Sequence, residues 1–203
     1  PARAAGQQAY MKSAMPFLGV PVPEARRCVR SACRGVPDAD VLLSSAADLW
    51  RNAQYREEWY AALAVLGLRP LRGDLRMVAL VEEAVRTARW WDITDECAHR
   101  VADLLDLHPA ATALLVRRWR TDDDLWMRRL AIISQLGRRD RTDLDLLSEA
   151  IEPNLADPDF FIRKAIGWAL RDLARTDPDW VRAFAAAHEL SPLSRREALK
   201  HLD

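Results

Sequence analysis

The stretch Arg89-Trp90-Trp91-Asp92-Ile93-Thr94-Asp95-Glu96-Cys97 holds the most suggestive pairing of residue types in the chain. Trp91 and Asp95 are four apart, so on a helix they stand on one face. A carboxylate beside an indole can hold a developing positive charge, the carboxylate by Coulomb attraction and the indole through its electron-rich face. The same residues also carry a purely structural reading. Asp92 can cap a helix, Asp95 sits three residues on where a carboxylate favours the helix dipole, and Trp90 can pack inward. Spacing alone leaves both readings open.

A second constellation is Lys164, Trp168 and Arg171, spaced i, i+4, i+7 and therefore on one helix face. An indole between two cations suits a polyanion with flat units between its charges, such as DNA. A core tryptophan with surface cations beside it fits the pattern as well. Trp126 with Arg128 and Arg129 repeats the combination of aromatic and basic residues. Other chemistries lack their residues. His99, His108, His188 and His201 sit in no metal-ligand spacing, so no metal and no cofactor are expected. Asp122-Asp123-Asp124 has a metal-like look but reads as the cap of a helix beginning at Leu125. Neither a Gly-rich phosphate loop nor a Gly-x-Ser-x-Gly elbow occurs, which removes the nucleotide-binding and α/β-hydrolase classes.

The elements that must position these residues are helices. Apolar residues recur at helical steps and read as stripes of Leu49, Tyr60, Leu63 and Leu66, of Leu75, Val78, Val81 and Val85, and of Leu144, Leu147 and Ile151. Punctuation falls between them at Gly35–Pro37, Pro70–Gly73, Pro109, Gly137–Asp140, Asp157–Pro158, Asp177–Pro178 and Ser191–Pro192. Several of these read as an N-cap followed by a first-turn proline. Ten to twelve helices with short connections are expected, and no strands. Ala61, Leu63, Leu66 and Gly67 align with Ala131, Ile133, Leu136 and Gly137, and Phe161 to Ile166 falls about half that offset further on. A period near 35 to 40 with two helices per repeat points to an all-α, curved α-solenoid of HEAT-like repeats with a concave binding face.

Composition fits one such domain over residues 1–203. The chain is 50% hydrophobic and 30% charged, too apolar for disorder, and no apolar run approaches the length of a membrane span. Thirty basic residues balance thirty acidic ones, which excludes a uniformly basic DNA-coating protein but not a basic stripe on a neutral molecule. Only Lys12, Lys164 and Lys200 among the basic residues are lysines, and eight tryptophans are an excess that asks for a use. Cys28, Cys33 and Cys97 form no disulfide or zinc pattern, and no secretory leader opens the chain, so a reducing cytoplasm is the expected compartment.

Four collinear motifs resemble the DNA alkylation repair family, the AlkD-type HEAT-like DNA glycosylases. They are Tyr10-Met11-Lys12 leading to Phe17-Leu18-Gly19-Val20-Pro21; Trp90-Trp91-Asp92 with Asp95; Trp126 with Arg129; and Phe160 to Arg171. The ending Leu193 to Lys200 is similar to that family too. The resemblance implies excision of purines alkylated on a ring nitrogen, from duplex DNA, without drawing the base into a pocket. It places the catalytic carboxylate at Asp95 and the lesion-flanking indoles at Trp91 and Trp168. It puts Arg129 near the phosphate and gives Tyr10 and Lys12 to an N-terminal DNA-contacting segment, preceded by a further helix that the nine residues before Tyr10 leave truncated. Lys164 and Arg171 would add phosphate contacts. A monomer is the simplest expectation. The alternative reading is a non-catalytic α-solenoid that binds DNA structure or a protein partner.

Overall fold

The computed structural model describes residues 3–202, and among these there are twelve α-helices and no strand. In chain order they are α1 (Ala4–Met11), α2 (Val22–Ala32), α3 (Ala39–Arg51), α4 (Arg56–Leu66), α5 (Met77–Ala88) and α6 (Trp91–Leu107). Then follow α7 (Pro109–Trp119), α8 (Leu125–Ile133), α9 (Leu144–Ile151), α10 (Phe160–Leu173), α11 (Pro178–Ala187) and α12 (Pro192–Ala198). No helix among the described residues is long and apolar enough to cross a membrane.

Side-chain caps set half of the twelve helix starts among the described residues. Asp38, Asp124, Asp143, Asp159, Asp177 and Ser191 each accept from a free amide of the first turn, as Asp124 does from the Trp126 N–H at 2.9 Å. Three starts differ from the sequence reading. Helix α6 begins at Trp91 with Trp90 as its cap, so Asp92 lies inside the first turn, where a carboxylate faces the positive end of the helix dipole. Asp159, not Asp157, caps α10; Asp157 instead accepts the Asp159 N–H at 2.8 Å. Leu75 precedes α5 and is exposed, so the buried stripe of that helix runs Met77, Leu80, Val81, Ala84 and Val85.

The chain divides into two compact units, the first ending at Leu80 and the second beginning at Val81. In the first, α4 packs on α2 and α3. Trp50 and Trp59 stack at 4.5 Å, with the Trp59 indole donating to the Trp50 carbonyl at 3.0 Å. The buried Glu57 carboxylate accepts three successive backbone N–H groups, from Leu18, Gly19 and Val20, at 2.9, 2.8 and 3.1 Å. Gly19 reaches φ 87°, a conformation that suits glycine. The Phe17 to Val20 motif is thus a loop folded around a carboxylate.

In the second unit α6 packs on α7 and α8, α8 on α10, and α10 on α12. The buried stripe Ile93, Cys97, Val101 and Leu104 on α6 and the stripe Ile162, Ala165, Ile166 and Leu170 on α10 are both zero to one per cent exposed. Each large aliphatic side chain so buried contributes roughly 1.5–3 kcal/mol. The repeat is visible in the polar contacts. Trp119 donates to Glu82 at a separation of 37 residues, Arg86 to Asp122 at 36, Arg129 to Asp95 at 34, Arg138 to Asp106 at 32, and the Gly137 amide to Asp172 at 35. Equivalent helices stand beside one another, so side chains one period apart meet.

Candidate active site

Asp95 occupies the second turn of α6, one turn after Trp91. Arg129, on the adjacent α8, donates Nε–H to Asp95 Oδ1 at 2.9 Å and Nη2–H to Oδ2 at 3.0 Å, a bidentate pair. Its Nη1 donates to the Phe161 carbonyl oxygen on α10 at 2.7 Å. One guanidinium therefore ties three alternate helices of the second unit, α6, α8 and α10, together and sets the plane of the carboxylate. Arg129 is buried, 3% exposed, while the Asp95 side chain keeps 18% of its surface open. Burial pushes the Asp95 carboxyl up to about 6; the Arg129 charge and hydrogen bonds pull it back down, and the Asp92 charge adds to the rise.

An aromatic cluster is built from the starts of the same helices. Trp90 sits 5.4 Å from Phe161 and 5.9 Å from Trp126, and those two rings are 4.9 Å apart. Phe160 meets Phe161 edge-on at 5.3 Å and is otherwise exposed. Trp90 does pack inward, as its position before the helix suggests, and Trp126 is buried.

Trp91 and Trp168 are both half-buried, neither core nor fully open. Trp168 lies mid-way along α10, between Lys164 and Arg171 on the sequence. Those two cations are not open to solvent on all sides. Lys164 Nζ reaches Glu197 Oε1 at 2.8 Å and Arg171 Nη1 reaches Glu197 Oε2 at 2.5 Å, both on α12. Gly167 makes this approach possible: a Cβ there would lie 2.5 Å from the Glu197 Cβ and 2.9 Å from the Ser194 carbonyl oxygen. No group of His, Cys, Asp and Glu among the described residues could hold a metal ion. Tyr10 and Lys12 belong to the other unit. Tyr10 is 74% exposed, and Lys12, also exposed, ends α1 with φ 49°.

The chain matches the family described as DNA alkylation repair enzyme over residues 1–202. A solved structure of a predicted DNA alkylation repair enzyme from Enterococcus faecalis is 30% identical, with a TM-score of 0.90 over 100% of this chain and 95% of that one. This chain belongs to the DNA alkylation repair enzyme family. AlkD2 from Streptococcus mutans shares the fold at 17% identity, with a TM-score of 0.71 over 98% of this chain and 99% of that one. So does smu.31 from Streptococcus mutans UA159, at 18% identity and a TM-score of 0.69, covering 90% and 93%. No curated protein matches the chain.

Set against the sequence reading of this DNA alkylation repair protein, the structure brings Asp95 and Arg129 together and shows what Arg129 does there. The family resemblance puts Arg129 near a phosphate; in this unit its Nε and Nη2 donate to Asp95 and its Nη1 to the Phe161 carbonyl oxygen. Three contributors escape sequence reasoning: the Phe161 carbonyl, the Asp92 charge and Glu197. A doubled phenylalanine directly after the Asp159 cap hints at the first. Asp92 lies within the motif but reads as a cap. Nothing in the spacing of Glu197 announces a partner on another helix.

Proposed function

We propose that this protein hydrolyses the N-glycosidic bond of cationic, ring-nitrogen-alkylated purines in duplex DNA, with no base drawn into a pocket. The observation that carries the reading is a partly open carboxylate, Asp95, locked in orientation by a buried arginine one turn after Trp91. Alkylation gives the purine a positive charge, so the C1′–N bond breaks with its electron pair leaving on a neutral base, and no general acid is needed. The charge that remains is on the oxocarbenium-like sugar. Asp95 stabilises that charge and orients a water; the water oxygen bonds to C1′ and its proton passes to the carboxylate and on to solvent.

The residues around Asp95 take supporting roles in this reading. Trp91 and Trp168 flank the reacting nucleotide, each adding about 0.5–2 kcal/mol of cation–π attraction to the charged sugar. Arg129 is a positioning residue that holds the carboxylate plane. Lys164, Arg171, Tyr10 and Lys12 hold the DNA backbone, contributing affinity that depends on salt but not on sequence. The enzyme acts in the cytoplasm as a monomer, on double-stranded DNA, without metal or cofactor.

The test is base release from a duplex containing a cationic alkylated purine, wild type beside Asp95→Asn. The variant is expected to lose about 100- to 1000-fold in rate while still binding the duplex. Bound duplex with no base release by the wild type, over several such lesions, replaces the enzyme by a non-catalytic DNA-binding repeat protein.

A further inference from the structure

Two cations on α10 converge on one carboxylate of α12, and the manner of their convergence has a chemical meaning. Lys164 and Arg171 take different oxygens of Glu197, one each, at 2.8 and 2.5 Å. A DNA phosphodiester offers two non-bridging oxygens and one negative charge, which is what the two cations find in the carboxylate. We propose that Lys164 and Arg171 form a subsite for one backbone phosphate of duplex DNA, and that Glu197 occupies it in the free protein and gives it up when the duplex binds. The proposal rests on the reading of this chain as a DNA-binding enzyme and adds a residue, Glu197, that sets how tightly it binds.

Exposure and charge allow the exchange. Lys164 and Arg171 retain 37% and 21% of their side-chain surface, whereas Glu197 retains 12%, so the cations are more open to an approaching anion than the carboxylate they hold. One carboxylate against two cations leaves the cluster net positive, and an arriving anion is still attracted. The exchange is a side-chain event. Helix α12 cannot slide, because Gly167 seats the Glu197 Cβ and the Ser194 Oγ–H donates to the Arg163 carbonyl oxygen at 2.9 Å. The carboxylate can leave by rotation about its own bonds. Replacing one anion by another changes little in local Coulomb energy, so the subsite contributes only when the rest of a duplex is already in place. Glu197 in this way holds down affinity for DNA in general and leaves the lesion-dependent contacts to decide residence.

The test is the salt dependence of binding to an undamaged duplex, read by fluorescence anisotropy. Glu197→Gln keeps the shape that Gly167 accommodates and removes the competing charge. It is expected to bind about tenfold tighter near ~0.1 M salt, with the log–log salt slope steeper by about one unit. The same substitution should be silent in a Lys164→Gln/Arg171→Gln background. Unchanged or weaker binding by Glu197→Gln overturns the proposal. A readout on the wild-type protein stands even if that variant does not fold. The Lys164 and Arg171 charges hold the Glu197 carboxyl below the ordinary glutamate range. Carbon NMR of that carboxyl should show its titration returning towards the ordinary range when duplex is bound, and no movement overturns the idea. Failure here is separable from failure of the enzyme reading: base release with a silent Glu197 removes only the subsite, and a steeper slope without base release removes only the glycosylase.

Discussion

Glu57 in the first unit and Asp95 in the second are both carboxylates held near the start of a helix, and they are satisfied in opposite ways. Glu57, 4% exposed, spends both oxygens on three neutral amides of one loop. Asp95 spends both on a single buried cation and keeps an open side. Backbone amides surround Glu57 and leave no direction from which another molecule can use it; its work is to hold the Phe17 to Val20 loop. A guanidinium binds in one plane, so Asp95 is fixed in orientation while its charge remains available at the surface. The choice of partner separates a structural carboxylate from one suited to chemistry.

The comparison can be broken most forcefully at Arg129. Arg129→Met leaves Asp95 without its counter-cation in a buried place, and is expected to cost about 3–5 kcal/mol in chemical denaturation. Base release by the fraction that folds should fall about 100-fold, because the carboxylate is no longer held in plane. The midpoint of its pH dependence should also move up, a change that mere loosening of the fold does not produce. If rate and midpoint both stay put, Arg129 is only a strut. At Glu57 the expectation is the reverse. Glu57→Gln should cost about 1–3 kcal/mol of stability, since one side of the cradle then faces an amide instead of a carboxylate. Base release per folded molecule should remain within about twofold on the same reasoning. A large catalytic loss there would erase the distinction between the two carboxylates.

The gentlest test is pH. Asp95 acts as a carboxylate, and its carboxyl is raised from 3.8 to about 6 by burial. kcat/KM for base release should therefore climb as pH rises through about 6 and level off above it, while the residual rate of Asp95→Asn stays flat over that span. Stability runs the other way. The protonated acid is the form that burial favours, so the stabilisation from this group is complete below 3.8 and is lost as pH passes through about 6. A profile centred near 4 would mean that Asp95 is more solvated in solution than its burial implies.

Much of the architecture is legible residue by residue. Asp124, Asp177 and Ser191 announce their helices because capping is a contact between near neighbours in the chain. Asp92 misleads for the same local reason: an Asp ahead of an apolar run looks like a cap, but the cap is Trp90, packed against Trp126 and Phe161, and the helix starts two residues earlier. The site itself is half legible. Trp91 and Asp95 share a face by helical arithmetic, whereas the fate of Arg129 is invisible in a chain with thirty basic and thirty acidic residues, where almost every charge has a plausible partner somewhere.

What the sequence by itself determined is everything of short range: that the chain is helical, where most helices begin, that they recur with a period in the thirties, and that one carboxylate follows one indole by a turn. Periodicity and capping act over a few residues, and the order of amino acids carries them directly. Only the tertiary structure decided which charges meet. Asp95 chose Arg129, 34 residues away, and Glu197 drew in both Lys164 and Arg171, because the stacking of α6, α8, α10 and α12 brought those side chains within hydrogen-bond reach in a partly dry setting. There an ion pair depends on distance and burial, and neither quantity is written in the spacing of the residues.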